Sequence, residues 1–145
     1  MNDSPIRDPF LKDRAWLCQR RLDAELMNQN AADFKGIHDF SAFCATGSKV
    51  KPGGDCQRHV FSASVYRDGD LVIFRVCADG FLYNMVRIMA GTLVDISLGT
   101  IKNGSIADII ATGSRKLAGR TLPPEGLYLD RVDYTKGVIS EDERI

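Results

Sequence analysis

The sequence has little of what metal centres and histidine-dependent active sites are built from. Its four cysteines form no Cys-x-x-Cys pair, and its two histidines, His38 and His59, lie far apart. Structural zinc sites place cysteine and histidine ligands at short, regular spacings. The sequence therefore predicts no metal site, and a catalytic role for either histidine is disfavoured.

An excess of positive charge is also missing. Lysine and arginine total 19, and aspartate and glutamate total 19. The chain as a whole thus has no electrostatic preference for nucleic acid, although a local basic cluster can still provide one. The densest basic segment carries Arg115, Lys116 and Arg120. Charge runs are usually solvated, so phosphate contact by this segment is the less favoured of two interpretations.

Long hydrophobic runs are absent, and the N-terminus shows no signal-peptide pattern. We therefore expect a cytoplasmic protein. The length of 145 residues fits one domain or slightly less. We divide it into a lead-in or interdomain segment at 1–22, a main domain at 23–135 and a polar tail at 136–145.

The most periodic stretch of the sequence runs from Gly80 to Gly99. Apolar residues cover most of its circumference, which predicts a long helix buried on more than one side. Gly99 is predicted to follow the last helical turn. The polar and small residues that interrupt this pattern are spaced three, four and four apart and share one stripe of the helix; they are Asn84, Arg87, Gly91 and Asp95.

Arg87 requires an explanation, because a buried guanidinium without a partner is costly. One interpretation is an internal ion pair with Asp79 or Asp95, of which Asp95, two turns away, is the weaker candidate. The other is that Arg87 projects into a cleft and holds an anion from elsewhere. Gly91, one turn further on, leaves room for a close approach by backbone or ligand. On spacing alone the two interpretations of Arg87 have equal weight.

The remaining patterns predict an α+β fold, an antiparallel sheet with the long helix packed on one face. Asp23 is predicted to cap a helix that runs to about Phe34. The Asp68-Gly69-Asp70 turn predicts a hairpin. A polar loop at 44–57 carries Lys49 and Lys51, which are either solvated or in contact with phosphate. The other predicted elements are a compact turn at 36–43 held by two phenylalanine rings, strands at 58–67 and 71–78, a short helix at 105–112 and a last strand at 126–134.

Four segments together resemble one family, and they occur in its order. They are GIHDFSAF at 36–43, ADGFLYNMVRIMAGTLVDISLG at 78–99, the AG-x-T element at 118–121 and PPEGLYLDRVDY at 123–134. The sequence is similar to the C-terminal half of the tRNA pseudouridine synthase A family. The FLYNMVRIMAGTL string is the most specific part of this resemblance.

The resemblance implies an enzyme that isomerises uridine to pseudouridine in the anticodon stem-loop of tRNA, without cofactor or metal. It implies two similar α+β halves around a basic cleft, and a homodimer in which one tRNA touches both subunits. The family nucleophile is an aspartate in an R-x-D-x-G-V-H-A type element of the N-terminal half. This sequence has no such element, so we expect the chain alone to be catalytically silent. Three aspartates lie outside that motif and are not proposed as nucleophiles: Asp39, Asp79 and Asp95.

The resemblance also assigns candidate residues. Arg87 matches the arginine of the family's MVR motif, which orients the nucleophilic aspartate. The substrate-binding candidates are Phe81, Leu82 and Asn84, and the RNA-binding candidates are Ser48, Lys49, Lys51 and Arg58. The alternative to a half enzyme is a stand-alone, non-catalytic module that binds RNA or dimerises.

Overall fold

The computed structural model describes residues 1–47 and 55–134, and its α+β class is the predicted one. A three-stranded antiparallel sheet has the order β1-β2-β3. Its strands are β1 (Gly36–Asp39), β2 (Gln57–Asp68) and β3 (Leu71–Ala78), and its helices are α1 (Ala24–Ala31), α2 (Met85–Ser97) and α3 (Ile106–Thr112). α1 lies against β2, and α2 packs beside α1. None of the helices in these two ranges is long and apolar enough to cross a membrane.

The hairpin of β2 and β3 forms as predicted. Asp68 pairs with Leu71, and Gly69 takes a positive φ of 58° at the turn. A left-handed residue is what the tight turn of a two-residue hairpin needs, which is why glycine is favoured there. The hairpin leads through a short connection into α2, so it places the N-terminal end of that helix.

The segment 36–43 contains a strand that the sequence did not predict. Residues 36–39 form β1, and Gly36 pairs with Val60 at one end of the ladder. Ile37 is 66% exposed, so the alternation that would signal a half-buried strand is missing. The expected compact turn is the second half of the segment, a 3₁₀ turn at Ser41–Phe43, where the rings of Phe40 and Phe43 are fully buried.

Helix α1 begins where the sequence predicts. The Asp23 side chain accepts a hydrogen bond from the backbone N–H of Leu26 at 2.9 Å, which satisfies a donor that the first turn leaves unpaired. The α-helix ends at Ala31 and continues as a 3₁₀ turn to Phe34. Met27, Ala31 and Phe34 are fully buried and belong to the hydrophobic core.

Helix α2 is shorter than predicted, because it begins at Met85 and not at Gly80. Asn84 has a left-handed conformation with φ 57°. Such a residue does not continue a right-handed helix, and asparagine is one of the few side chains that adopt this conformation readily. The predicted C-terminal end is confirmed, since Gly99 has φ 78° and its N–H donates to the Ile96 carbonyl. The short helix α3 is also confirmed.

The prediction of a last strand at 126–134 is wrong. Residues 126–134 form no strand, and Leu129 is 81% exposed. Its alternating pattern requires a neighbouring strand, and within the described residues no strand pairs with it. Leu127 instead closes a turn by donating its N–H to the Pro124 carbonyl.

The first residues of the chain are hydrogen-bonded to the sheet. Met1 accepts from the Val72 N–H at 2.8 Å, and Asp3 donates its N–H to the Asp70 carbonyl. The buried Asp3 carboxylate binds Arg67 of β2 through two hydrogen bonds of 2.8 and 2.7 Å. These contacts tie the start of the predicted lead-in to the hairpin.

Candidate active site

Arg87 lies in the first turn of α2, half-buried. Its Nε donates to the Leu122 carbonyl at 2.6 Å, and its Nη1 donates to Asn84 Oδ1 at 2.9 Å. Both partners are neutral oxygens. The side chain is therefore held in place without having its charge neutralised.

The structure rules out the internal ion pair as an explanation of Arg87. The Asp95 carboxylate instead binds Arg120, with Oδ1 at 2.6 Å from Nη2 and 2.8 Å from Nε. Asp79 accepts from the His59 N–H at 3.0 Å. Among the residues that the structure describes, no carboxylate lies within ion-pair distance of Arg87. Nη2 makes no hydrogen bond within this part of the chain.

Asn84 was predicted to be a helical residue, but it lies just before α2 and holds the Arg87 side chain. Its left-handed backbone ends the preceding loop, and its side chain makes no capping bond to the helix. The side-chain oxygen reaches Arg87, three residues on, instead. The local Asn-x-x-Arg spacing thus carries one contact of the site.

An extended segment, which we call the strap (residues 118–122), crosses the predicted stripe of α2. The Gly119 N–H donates to Thr92 Oγ1 at 2.9 Å, and the Arg120 N–H donates to Asp95 Oδ2 at 3.1 Å. The Leu122 N–H then donates to the Arg87 carbonyl at 3.3 Å. The strap therefore runs antiparallel to α2 and ends at the candidate arginine.

Gly91 makes room for the strap backbone. A Cβ atom at this position would lie 1.7 Å from the Arg120 carbonyl oxygen, a distance that no side chain tolerates. The close approach expected at Gly91 is thus by backbone. Gly119 is also constrained, from the other side, because its Cβ would lie 2.6 Å from Thr92 Cα.

The densest basic segment is mostly engaged in structural contacts. Arg115 donates to the Gly119 carbonyl at 2.8 Å and to Thr121 Oγ1 at 3.1 Å, and Arg120 pairs with Asp95. Only Lys116 of this group is exposed without such a contact. The sequence offered one signal for this outcome, namely an acidic residue and a glycine on the same stripe of α2.

The substrate-binding candidates separate into two environments. Phe81 is 43% exposed and Asn84 is half-buried, whereas Leu82 is buried within the hydrophobic core. Tyr83, which sequence reasoning did not single out, is exposed beside them. Its carbonyl accepts from the Ala45 N–H at 3.1 Å, so the described beginning of the 44–57 loop adjoins this surface.

Of the RNA-binding candidates, Arg58 is the one that the structure describes; Ser48, Lys49 and Lys51 lie outside the described residues. Arg58 is the second residue of β2. Its side chain lies against the loop before α2, where a Cβ on Gly80 would be 3.5 Å from its Nε. Arg58 Nη1 donates to the Asp55 carbonyl. Arg58 and Phe81 therefore lie on neighbouring segments.

The three aspartates outside the family motif accept hydrogen bonds from the backbone, and Cys56 is held in its protonated form. Asp39 accepts from the Ser41 N–H at 2.8 Å, so it, Asp79 and Asp95 all have backbone partners. Burial, with a contribution from the Asp39 charge, raises the pKa of the Cys56 thiol. A thiol of raised pKa stays protonated at neutral pH and is a poor nucleophile. Across residues 1–47 and 55–134 no group of three metal-ligating side chains occurs.

A cavity of about 410 Å³ lies at the N-terminal segment, away from Arg87. Its lining includes Pro9, Leu11, Trp16 and Glu125. The described candidates Phe81, Leu82, Asn84 and Arg58 are not among its lining residues. Arg87 therefore belongs to a separate surface.

Comparison with known proteins identifies the family. The sequence model of the tRNA pseudouridine synthase family matches residues 31–135. The chain is 42% identical over 132 residues to tRNA pseudouridine synthase A of Acetivibrio thermocellus, an alignment that covers 91% of this chain and 53% of the relative. It is 44% identical over 129 residues to the protein of the same name from Moorella thermoacetica, with 89% and 51% covered. The chain spans about half the length of these curated relatives, and it belongs to the tRNA pseudouridine synthase family.

Proposed function

We propose that this chain is the C-terminal half of a tRNA pseudouridine synthase that acts on the anticodon stem-loop, and that Arg87 is its catalytic residue. The observation that carries the proposal is a guanidinium held by two neutral oxygens, with Nη2 left without a partner in the described chain. The anion that Arg87 lacks is the nucleophilic aspartate of the N-terminal half. Family membership supports the reaction type.

The chemistry explains why an arginine suits this position. A carboxylate in a closed cleft loses hydration, which favours its neutral form. A neighbouring guanidinium keeps it ionised and, through its planar donors, oriented for attack. An ionised aspartate is the form that acts as a nucleophile. Arg87 therefore does not attack the nucleotide but holds the group that does.

The proposed reaction exchanges one glycosidic bond for another. The bond from uracil N1 to the ribose C1′ breaks, and the ring turns so that C5 bonds to C1′. N1 gains a proton and C5 loses one, so atoms and charge balance without an oxidant or a metal. Consequently, no cofactor is required.

The surface beside Arg87 is the proposed RNA-facing side. Phe81 and Asn84 lie there, with Arg58 on the adjoining strand. Leu82 is buried, and its proposed role is to form part of the wall of the uridine pocket. Ser48, Lys49 and Lys51 complete the proposed RNA contacts, since their loop begins next to Tyr83.

The proposed partners are tRNA, the N-terminal half of the same enzyme and a second copy in a homodimer, in the cytoplasm. The division into a 1–22 segment, a 23–135 domain and a 136–145 tail belongs to the same proposal. A surface that packs against an N-terminal half would be exposed whenever residues 1–145 are studied alone. Exposed apolar surface promotes self-association, so the homodimer is best measured with both halves present.

The test is release of tritium from tRNA labelled at uracil C5, measured with this chain alone and with an N-terminal half added. We expect release only in the mixture, because the chain supplies Arg87 and the added half supplies the aspartate. Release by the chain alone would mean that it contains a nucleophile of its own. No release in the mixture would favour the alternative, a non-catalytic module that binds RNA or dimerises.

A second prediction concerns Lys49 and Lys51. Replacing both with glutamate is expected to weaken tRNA binding and to make its dependence on salt less steep, because each lost phosphate contact lowers the slope by about one unit. The measurement is tRNA affinity over a series of salt concentrations. Lys12→Glu with Lys102→Glu is the matched control, since it makes the same charge change at exposed positions. An unaltered slope in the first variant would place the RNA-facing surface elsewhere.

A further inference from the structure

The geometry points to the strap as the element that positions Arg87. Asp95, Thr92 and Gly91 clamp the strap onto α2, and the strap in turn sets the place of the Leu122 carbonyl that holds Nε. We assign positioning roles to these three residues. The role of this arrangement in catalysis rests on the proposed function, whereas the contacts between the strap and α2 are observed in this chain.

Arg87 and Leu122 are joined by two hydrogen bonds, one in each direction. Arg87 Nε donates to the Leu122 carbonyl at 2.6 Å, and the Leu122 N–H donates back to the Arg87 carbonyl at 3.3 Å. The Leu122 side chain is buried in the core. Nε carries a single N–H, which lies in the guanidinium plane. The position of the Leu122 oxygen therefore constrains the plane of the guanidinium.

The strap is also attached to α2 further along the helix, at Thr92 and Asp95. The buried Asp95 accepts from the Arg120 N–H with Oδ2 and from the Arg120 side chain with Oδ1. Thr92 Oγ1 accepts from the Gly119 N–H and donates to the Ile88 carbonyl. Breaking one of these bonds leaves a buried polar group without a partner, which is unfavourable. The strap is thus held at two residues before it reaches Leu122.

Gly91 allows the strap to approach α2 closely, because it has no side chain. The Arg120 carbonyl occupies the space where a Cβ would stand. An alanine at this position requires the strap to move away from α2. Since Leu122 follows Arg120 by two residues, the displacement is expected to reach the carbonyl that holds Arg87.

Asn84 supplies the second constraint. Its Oδ1 binds Nη1 at 2.9 Å, so two of the three guanidinium nitrogens have fixed partners. Nη2 is then available to an anion at a defined place. This arrangement resembles preorganisation in an active site, where supporting contacts hold a charged group before the substrate arrives.

The experiment measures the exchange of the Arg87 Nε–H with water by NMR, on the ¹⁵N-labelled 145-residue chain. Arg87→Lys assigns the signal by removing it. Gly91→Ala is expected to speed exchange about tenfold or more, because the hydrogen bond to Leu122 weakens. Thr92→Val removes the bond to the Gly119 N–H, and with it the bond to the Ile88 carbonyl within α2. It is expected to speed exchange several-fold, and it tests the same inference if Gly91→Ala does not fold.

The matched control is Asp3→Asn, which weakens a buried ion pair with Arg67 and touches no strap residue. If the strap positions Arg87, this variant leaves the exchange rate unchanged. A wild-type exchange rate in both Gly91→Ala and Thr92→Val, or equal acceleration by Asp3→Asn, would overturn the inference. Turnover in the two-half mixture is a separate readout, expected to show a lower kcat at unchanged KM in Gly91→Ala. Faster exchange with unchanged turnover would support the positioning by the strap and would contradict the catalytic role of Arg87.

Discussion

Replacing Arg87 with lysine in the mixture of both halves is expected to lower turnover by about 100-fold or more while tRNA binding is kept. Lysine retains the positive charge but lacks the planar donors and the Nε–H that binds the Leu122 carbonyl. Loss of one preorganised charged donor costs on this order in kcat. The measurement is tritium release at saturating tRNA, with affinity determined separately. A reduced kcat at unchanged KM is the signature of an interaction made in the transition state.

Arg75→Lys is the control for this prediction. Arg75 is exposed on β3, and its guanidinium lies 5.7 Å from the centre of the Tyr66 ring. The same chemical change at this position is expected to leave turnover intact. If Arg87→Lys turns over at the wild-type rate, Arg87 does not hold the nucleophile, and the assignment of the catalytic residue is wrong.

The Asp3 to Arg67 pair is expected to dominate the pH dependence of stability. The Asp3 side chain is fully buried, binds Arg67 with both oxygens and accepts from the Leu22 N–H at 2.8 Å. Asp3→Asn leaves the Arg67 charge without its partner, a change expected to cost about 3 kcal/mol in the free energy of unfolding. Urea denaturation at pH 7 measures this difference.

The direction of the pH effect follows from the pKa of Asp3. The Arg67 hydrogen bond holds this pKa below its ordinary value of 3.8. The contribution to stability is therefore present above about pH 4 and is lost as the pH falls through the lowered pKa of the folded state. The wild type should lose stability in this window, and Asp3→Asn should lose less. Asp133→Asn, which breaks an exposed pair with Arg131, is expected to change stability by less than about 1 kcal/mol at pH 7. A loss as large as that in Asp3→Asn would contradict the proposed importance of burial.

The parts of the fold that local rules govern were predictable from sequence. Asp23 caps α1, Gly69 turns the hairpin and Gly99 ends α2, each at the expected residue. Each of these features depends on contacts within a few residues, so a single sequence contains the information. The motifs shared with the family were equally local, and they led to Arg87.

The parts that depend on distant partners were not predictable. β1 exists because β2 is long enough to pair with it, although the exposed Ile37 gives no alternating signal. Residues 126–134 have the alternation of a strand but no pairing partner among the described residues. Alternation records which side chains face a core, whereas strand formation also needs the edge of a neighbour.

The candidate site shows the same division. The sequence by itself determined that a helix bears Arg87, Gly91 and Asp95 on one stripe, because helical periodicity sets that placement; Asn84, expected on the same stripe, lies just before the helix. It left open what faces them. The tertiary structure decided that Asp95 binds Arg120, that Gly91 admits a backbone and that Arg87 binds the Leu122 carbonyl, 35 residues away. These partners come from a segment with no regular structure of its own, whose path is set by the grooves and hydrogen-bonding groups of α2 and by no local pattern.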